Sequence, residues 1–201
     1  MKKGFTPREL TLLGLLTALL LVMSFTPLGY LNIGPLAITL NMIPVAIGAI
    51  ALGPTGGAIL GGVFGMTSFL QCLGIGGTSA MGVATFEIDP LLTFVHRFFP
   101  RLITGLATGY IFKGVKALSN RTLAGFIAGF SAAFLNTALF MLTLVLFFGN
   151  TDYLQTLMNG KSIILFIVTF VGINAVFEML VSTVVSGMLA KALEKARLIG
   201  R

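Results

Sequence analysis

The stretch PLLTFVHRFFPRLITGLATGYIF, residues 90–112, decides the fold. It is apolar over a length that can cross a lipid bilayer as a helix, which takes about 20 residues, yet it contains Arg97 and Arg101. A guanidinium keeps its charge in hydrocarbon. Burying this charge in a membrane costs at least about 2.5–3.5 kcal/mol, so an intramembrane arginine indicates a functional site. The two arginines lie one helical turn apart, on one face, and predict a membrane protein that holds an anion or an internal carboxylate.

The rest of the chain has the composition of a membrane protein. Of its 201 residues, 56% are hydrophobic and 9% are charged, and its mean hydropathy is +1.02. A soluble domain would need more surface charge. At about 20 residues per span, the length allows about six transmembrane helices in a single membrane domain, residues 1–201. The net charge of +7 comes from basic residues that flank apolar runs, which argues against nucleic-acid binding.

The expected fold is all-α: an integral membrane bundle of six transmembrane helices. Proline, glycine and polar residues separate the apolar runs, and Gly53-Pro54 forms a tight turn between the second and third helices. Glycine-rich loops are expected at 26–38 and 74–88. The predicted helices are 10–25, 38–52, 55–73, 90–112, 123–148 and 162–193.

Basic residues predict the orientation of this bundle. With six spans, the lysines and arginines before helix 1, between helices 4 and 5 and after helix 6 all fall on one side. The positive-inside rule makes that side cytoplasmic, together with both termini. The opposite loops carry one lysine, Lys161.

Small residues one turn apart let membrane helices approach closely. The third, fourth and fifth helices carry such ridges, and we expect them to pack inside the bundle. Gly14 and Ala18 form a similar pair on the first helix, which could instead face another protein. The internal ridges are Gly57-Gly61-Gly65, Gly105-Gly109 and Gly125-Gly129.

Four polar side chains from four helices are expected at one depth. With a rise of about 1.5 Å per residue, Arg97, Asn136, Asn174 and Gln71 lie roughly 22–25 Å from the cytoplasmic ends of their helices. Polar groups in lipid need partners, so a shared substrate pocket open to the outside is predicted. Phe69, near the level of Gln71, is a candidate stacking residue.

One layer deeper, Arg101 and Glu178 are predicted to form a structural ion pair. Glu178 can neutralise one arginine, which leaves Arg97 to donate two parallel hydrogen bonds to an anionic substrate. The alternative is that both arginines pair internally or extend to the interface.

Other chemistry is not supported by the sequence. His96 is expected to be a helix-interface residue, since no ligands cluster around it to hold a metal. Cys72 is expected to pack in the interior. The segment Gly160-Lys161-Ser162 lacks the glycine that a phosphate-binding loop needs, because Gln155 occupies its position. Neither an enzyme activity nor a cofactor is therefore predicted.

Several of these residues resemble a known family. They are the small pair Gly14 and Ala18, the run LNMIPVAIGAIALGP at 40–54, and the glycine ridge after it. The chain resembles the S component, the substrate-binding subunit, of energy-coupling factor (ECF) vitamin transporters, and within that family it is most similar to the pantothenate type.

The resemblance implies a six-helix bundle in a bacterial cell membrane, with a site near the outer face covered by the loops 26–38 and 74–88. It implies a transmembrane coupling protein, EcfT, on which Gly14 and Ala18 would dock, and two ATPase subunits. Pantothenate has a carboxylate that suits Arg97 and hydroxyl and amide groups that suit the amide side chains. The alternatives are another vitamin or precursor (hydroxymethylpyrimidine, pyridoxine, folate or riboflavin) or a stand-alone secondary transporter.

Overall fold

The computed structural model describes residues 4–32, 37–77 and 79–195, and most of them are helical. Short 3-10 turns follow α1 and α2, at Pro27–Gly29 and Gln71–Leu73. The elements are α1 (Pro7–Phe25), β1 (Tyr30–Asn32), β2 (Ala37–Thr39), α2 (Met42–Leu70), α3 (Ala80–Ile88), α4 (Pro90–Leu118), α5 (Arg121–Phe148), α6 (Asp152–Met158) and α7 (Ile163–Lys195).

Helix α2 reverses direction at Gly53. This residue has φ 78° and ψ −168°, a conformation that glycine adopts without steric cost. A methyl group on Gly57 would lie 2.8 Å from the Cβ of Ala49, whereas a straight helix would separate these residues by about 12 Å. The two arms of α2, residues 42–52 and 54–70, therefore pack against each other, and the turn lies where Gly53-Pro54 predicts it.

The predicted start of the second helix at residue 38 is wrong. Ala37–Thr39 form β2, which pairs antiparallel with β1 so that Thr39 lies opposite Tyr30. The β-branched residues Ile38 and Thr39 favour extended backbone, and pairing with β1 supplies partners for backbone groups outside the helix. The first arm of α2 begins only at Met42.

Two further helices lie in predicted loops. The loop expected at 74–88 contains α3, whose start is capped by the Ser79 hydroxyl accepting from the Gly82 N–H. Helix α6 follows α5 and begins after Thr151, which caps it in the same way. Both are short, at nine and seven residues, and lack the long apolar run that identifies a span. Helix α4 also extends six residues beyond the predicted end at 112, to Leu118.

Within the described residues, four helices are long and apolar enough to cross a membrane. A fifth candidate is the pair α6 and the start of α7, bent by 75° at the break between them. Helix α4, with 29 residues, is long enough to cross but is not among these candidates. Its hydropathy is too low, because it contains His96, Arg97 and Arg101. The four candidates are Pro7–Phe25, Met42–Leu73, Arg121–Phe148 and Asn174–Lys195.

The glycine ridges pack inside the bundle, as predicted. Methyl groups on Gly57 and Gly61 would collide with the carbonyl groups of Gly105 and Arg101, so α4 lies directly against the second arm of α2. A methyl group on Gly129 would collide with the carbonyl of Ser182 in α7. Helices α2 with α4, and α5 with α7, form the most extensive contacts, and their close backbones position the polar side chains described next.

Candidate functional site

A cavity of about 570 Å³ lies toward the end of the molecule at which α1 and the second arm of α2 end. This volume is in the range of pockets that bind small molecules, roughly 300–1,000 Å³. Its wall includes Thr39 of β2, Ser79 and the start of α3, and side chains from α2, α4, α5 and α7. The charged and amide residues that line it are Gln71, Arg97, Arg101, Asn136, Asn174 and Glu178.

The structure brings together the four polar residues that were predicted at one depth. Gln71, Arg97, Asn136 and Asn174 all line this cavity, and each is at most 9% exposed. Helical rise predicts a common level for them, and the packing of α2, α4, α5 and α7 brings them to a common cavity. Substrate binding by these residues stays a prediction.

Arg97 extends from α4 toward the start of α3. Its Nη2 atom donates a hydrogen bond to the Ser79 hydroxyl over 3.4 Å, and its Cζ atom lies 5.3 Å from the centre of the Phe140 ring. The side chain is 5% exposed. A ring face attracts the guanidinium cation without using its N–H donors, so this arrangement is compatible with binding an anion from the cavity.

Arg101 lies between two aromatic rings. Its Cζ atom is 5.0 Å from the centre of the Phe64 ring and 5.2 Å from that of Phe140, and its Nη1 atom donates to the Arg97 carbonyl over 2.8 Å. These contacts replace part of the hydration that the cation loses on burial.

Glu178 faces the same cavity and holds the β-hairpin. Its carboxylate accepts a hydrogen bond from the backbone N–H of Thr39 over 2.6 Å, which joins α7 to β2 across 139 residues of sequence. Arg101 also lines the cavity. The predicted ion pair between Arg101 and Glu178 stays a prediction, and the backbone contact is a role that the sequence did not suggest.

The amide side chains differ in how much of their hydrogen-bonding capacity the protein uses. Gln71 donates from Nε2 to the carbonyl of Ser24 over 2.7 Å and so ties the 3-10 turn after α2 to α1. Asn136 Oδ1 is buried, and no atom of the described residues donates to it. A buried acceptor without a donor is costly, and a ligand N–H or O–H would satisfy it.

Phe69 does not line the cavity. Its ring packs against Phe86 of α3 and Phe94 of α4, with centroid separations of 6.0 and 5.2 Å. The lining residues of this helix face are Phe64 and Ser68, followed by Gln71, and Phe69 lies about 100° around the helix from Ser68. The predicted stacking role is therefore replaced by anchoring of α3.

Phe140 is one of several lining residues that the sequence did not single out, and it is the one that contacts both arginines. It lies one turn after Asn136 on α5, so the same face of the helix carries both. This i, i+4 spacing was a usable signal, but phenylalanine is so common in this chain, with 18 examples, that the spacing alone did not single it out.

His96 and Cys72 are interior residues, as predicted. His96 is fully buried, its Nδ1 lies 2.8 Å from the Thr143 hydroxyl of α5, and its ring packs on Phe140. Cys72 is buried and its thiol contacts the carbonyl of Ser68. In the part of the chain that the structure describes, no group of three histidine, cysteine or acidic residues could hold a metal ion.

Gly14 and Ala18 lie on the outer face of α1. Both are exposed, and a methyl group added to Gly14 would have no atom of the described residues within 4 Å. The inner face of α1 is formed instead by Leu16, Leu20 and Ser24. The small pair is therefore available to a neighbouring molecule.

Comparisons with known proteins identify the family. The family model for the ECF transporter substrate-specific component matches residues 8–190. The chain is 27% identical over 199 residues to the pantothenic acid transporter PanT of Lactococcus lactis subsp. cremoris, covering 94% of this chain and 95% of that protein. It is 29% identical over 187 residues to the pantothenate transporter PanT of Leuconostoc mesenteroides subsp. mesenteroides, covering 88% and 87%.

Three findings agree with one another: the cavity is lined by buried charged and amide groups, apolar helices surround it, and the family model matches most of the chain. They describe a multi-pass protein of the bacterial cell membrane. The chain belongs to the family of substrate-specific components of ECF transporters.

Proposed function

We propose that this chain captures pantothenate from outside the cell and that partner proteins drive its uptake with ATP. Two relatives aligned over most of their length carry the name of pantothenate transporters, which supports this vitamin over the other candidates. The observation that carries the proposal is the cavity in which Arg97, Asn136, Asn174 and Gln71 meet.

The chemistry of the ligand suits these side chains. Pantothenate has a carboxylate at one end, and a guanidinium can donate two parallel hydrogen bonds to it. Its amide and two hydroxyl groups can donate to Asn136 Oδ1, which is buried and lacks a donor from the described residues. In this proposal Arg97 holds the carboxylate, and the amide side chains of Gln71, Asn136 and Asn174 recognise the polar groups along the molecule.

Six membrane crossings would place this cavity in the outer half of the bilayer. The count is reached if residues 37–73 cross twice, first as β2 with the first arm of α2 and then as the second arm with the 3-10 turn after it, and if α4 crosses as well. The second point is supported by the close packing of α4 against the second arm of α2. Both termini would then be cytoplasmic, on the side of the basic residues.

Partner proteins would supply the energy. The family is that of a substrate-specific component, and we propose that EcfT and two ATPase subunits complete the transporter. The exposed Gly14 and Ala18 on α1 are the proposed contact with EcfT, because small residues let helices approach closely in lipid.

Ligand binding by the purified protein tests the role of Arg97. We expect Arg97→Ala to raise the dissociation constant for pantothenate about 10- to 100-fold, since a hydrogen bond to a charged group contributes about 1.5–3 kcal/mol. Isothermal titration with pantothenate is the measurement.

Thr108→Ala is the control for this experiment. Thr108 is buried on the same helix, donates to the carbonyl of Thr104 over 2.8 Å and does not line the cavity. The dissociation constant of this variant for pantothenate should stay within about twofold of the native value. A twofold change is smaller than the effect of losing one hydrogen bond. Equal affinities for the two variants would contradict the assignment of Arg97.

Transport by reconstituted protein tests the need for partners. Liposomes that contain this chain alone should bind pantothenate without accumulating it, and accumulation should require EcfT, the ATPases and ATP. Accumulation by the chain alone, driven by an ion gradient, would instead indicate a secondary transporter.

A further inference from the structure

One aromatic ring contacts both arginines of the cavity. The centre of the Phe140 ring lies 5.3 Å from Cζ of Arg97 and 5.2 Å from Cζ of Arg101, and Phe140 itself lines the cavity. The face of a phenyl ring carries partial negative charge and attracts a cation within about 6 Å of its centre. Phe140 is therefore the element of the wall that the two cations share.

An aromatic ring stabilises a guanidinium without consuming its hydrogen-bond donors. The five N–H groups point outward from the edge of the guanidinium, whereas the face of the ring attracts the cation through its partial negative charge and offers no acceptor atom. A carboxylate in the place of Phe140 would accept those N–H groups and neutralise the charge. The ring lowers the cost of burying the cations without itself accepting a hydrogen bond from them or neutralising their charge.

The Phe140 ring also packs on the His96 imidazole, on the helix that carries the arginines. The two ring centres are 4.3 Å apart, and His96 is fully buried. The Thr143 hydroxyl donates to the carbonyls of Leu139 and Phe140, over 2.9 and 3.1 Å. The same hydroxyl shares a hydrogen bond with Nδ1 of His96, 2.8 Å away. Because Thr143 follows Phe140 on the same helix, this bond holds the imidazole against the phenyl ring.

We infer that Phe140, packed on His96, orients the Arg97 and Arg101 guanidinium groups and thereby determines the preference of the cavity for a carboxylate over a neutral ligand. This inference rests on the proposed function, since it concerns how the same cavity selects its ligand. Phe140 acts on the ligand through the arginines, so its removal should weaken the recognition of negative charge more than the binding of the rest of the molecule.

The experiment compares pantothenate with pantothenol, the neutral alcohol in which CH2OH replaces the carboxylate. For Phe140→Leu and Phe140→Met, which keep an apolar side chain without a ring, we expect the dissociation constant of pantothenate to rise about 3- to 30-fold. That of pantothenol should change by less than about twofold, so the ratio of the two constants falls. Phe140→Tyr retains the ring face and should keep the native ratio.

Phe166→Leu is the matched control. Phe166 is 1% exposed, stacks on Phe170 and does not line the cavity. Its substitution removes a buried ring of the same kind and should leave the ratio unchanged. Thermal unfolding in detergent identifies variants that remain folded, and either Phe140→Leu or Phe140→Met suffices for the comparison.

An equal loss of affinity for both compounds would show that Phe140 only supports the shape of the cavity and would overturn the inference. An unchanged ratio with unchanged affinities would overturn it as well. Failure of the proposed function has a different signature: the native protein would then bind neither pantothenate nor pantothenol.

Discussion

Arg101 shows how a permanent charge can be accommodated among lipid-facing helices. Several weak contacts surround it: the centres of the Phe64 and Phe140 rings lie 5.0 and 5.2 Å from its Cζ atom, and one nitrogen donates to the Arg97 carbonyl. Each contributes little, but together they offset part of the desolvation that makes an intramembrane arginine expensive. At the scale of single residues, the cavity wall thus consists of charged and amide groups that are stabilised by contacts with neighbouring side chains and backbone.

Asn136 lies on α5 and Asn120 immediately before it, and the two should respond differently to the same substitution. Asn136→Ala removes a buried oxygen that lacks a donor from the described residues. We expect pantothenate affinity to fall about 2- to 10-fold, the contribution of one neutral hydrogen bond, with little loss of stability. Titration with pantothenate and thermal unfolding of the ligand-free protein measure the two effects.

Asn120→Ala is the control, with the opposite pattern. The Asn120 side chain caps α5 by accepting from the Leu123 N–H over 2.7 Å. Its loss should cost about 1 kcal/mol of stability and leave the affinity unchanged. The assignment of Asn136 fails if both variants lose stability and neither loses affinity.

At the scale of elements, the bundle depends on backbones that touch. Between the second arm of α2 and α4, Gly57 and Gly61 lie directly on the carbonyl groups of Gly105 and Arg101. In lipid, where no hydrophobic force drives helices together, such close approach gains dispersion contacts over the length of the ridge. The same contact sets the position of Arg101 relative to the cavity.

Gly61→Ala and Gly14→Ala test this packing. The added methyl on Gly61 would collide with the Arg101 carbonyl, so α4 must move away. The expected cost is about 1–3 kcal/mol, typical of overpacking. On Gly14 the methyl meets none of the described residues within 4 Å, and the higher helix propensity of alanine should leave stability unchanged or slightly raised. Thermal unfolding in detergent is the measurement, and equal midpoints for both variants would contradict the packing argument.

At the scale of the whole molecule, the cavity is assembled from both halves of the chain. The hairpin of β1 and β2 is held by Glu178 of α7, and α3 meets Arg97 of α4 through Ser79. Neither half contains the cavity by itself, because Gln71 comes from the first half and Asn136 and Asn174 come from the second. Binding therefore depends on the complete bundle.

Site-directed labelling tests the proposed six crossings. Cys72 is the single cysteine, so Cys72→Ala gives a background in which Ser119→Cys and Lys161→Cys are introduced separately, both at exposed positions. With six spans, a membrane-impermeant maleimide should label Lys161→Cys in intact cells. Ser119→Cys should react only after permeabilisation. The background protein alone should show no labelling, and reaction of both cysteines from the same side would refute the orientation.

The sequence by itself identified this chain as a membrane protein and predicted a common level for four of its polar residues. Apolar runs, the basic residues that flank them and the rise per helical residue are local quantities, and they sufficed to predict that Arg97, Asn136, Asn174 and Gln71 share a level. The turn at Gly53-Pro54 was also predictable, because a positive φ is a property of glycine itself. The motifs that indicated the family lie in the same contiguous segments.

Only the tertiary structure decided which way side chains at that level point. Phe69 faces α3 and Phe140 faces the arginines, although both are phenylalanines near the same cavity. Residues 37–39 form a strand because they pair with β1 and bind Glu178, which lies 139 residues beyond Thr39. Rotation about a helix axis and the pairing of a short strand are determined by contacts distant in sequence, and local spacing carries no information about them.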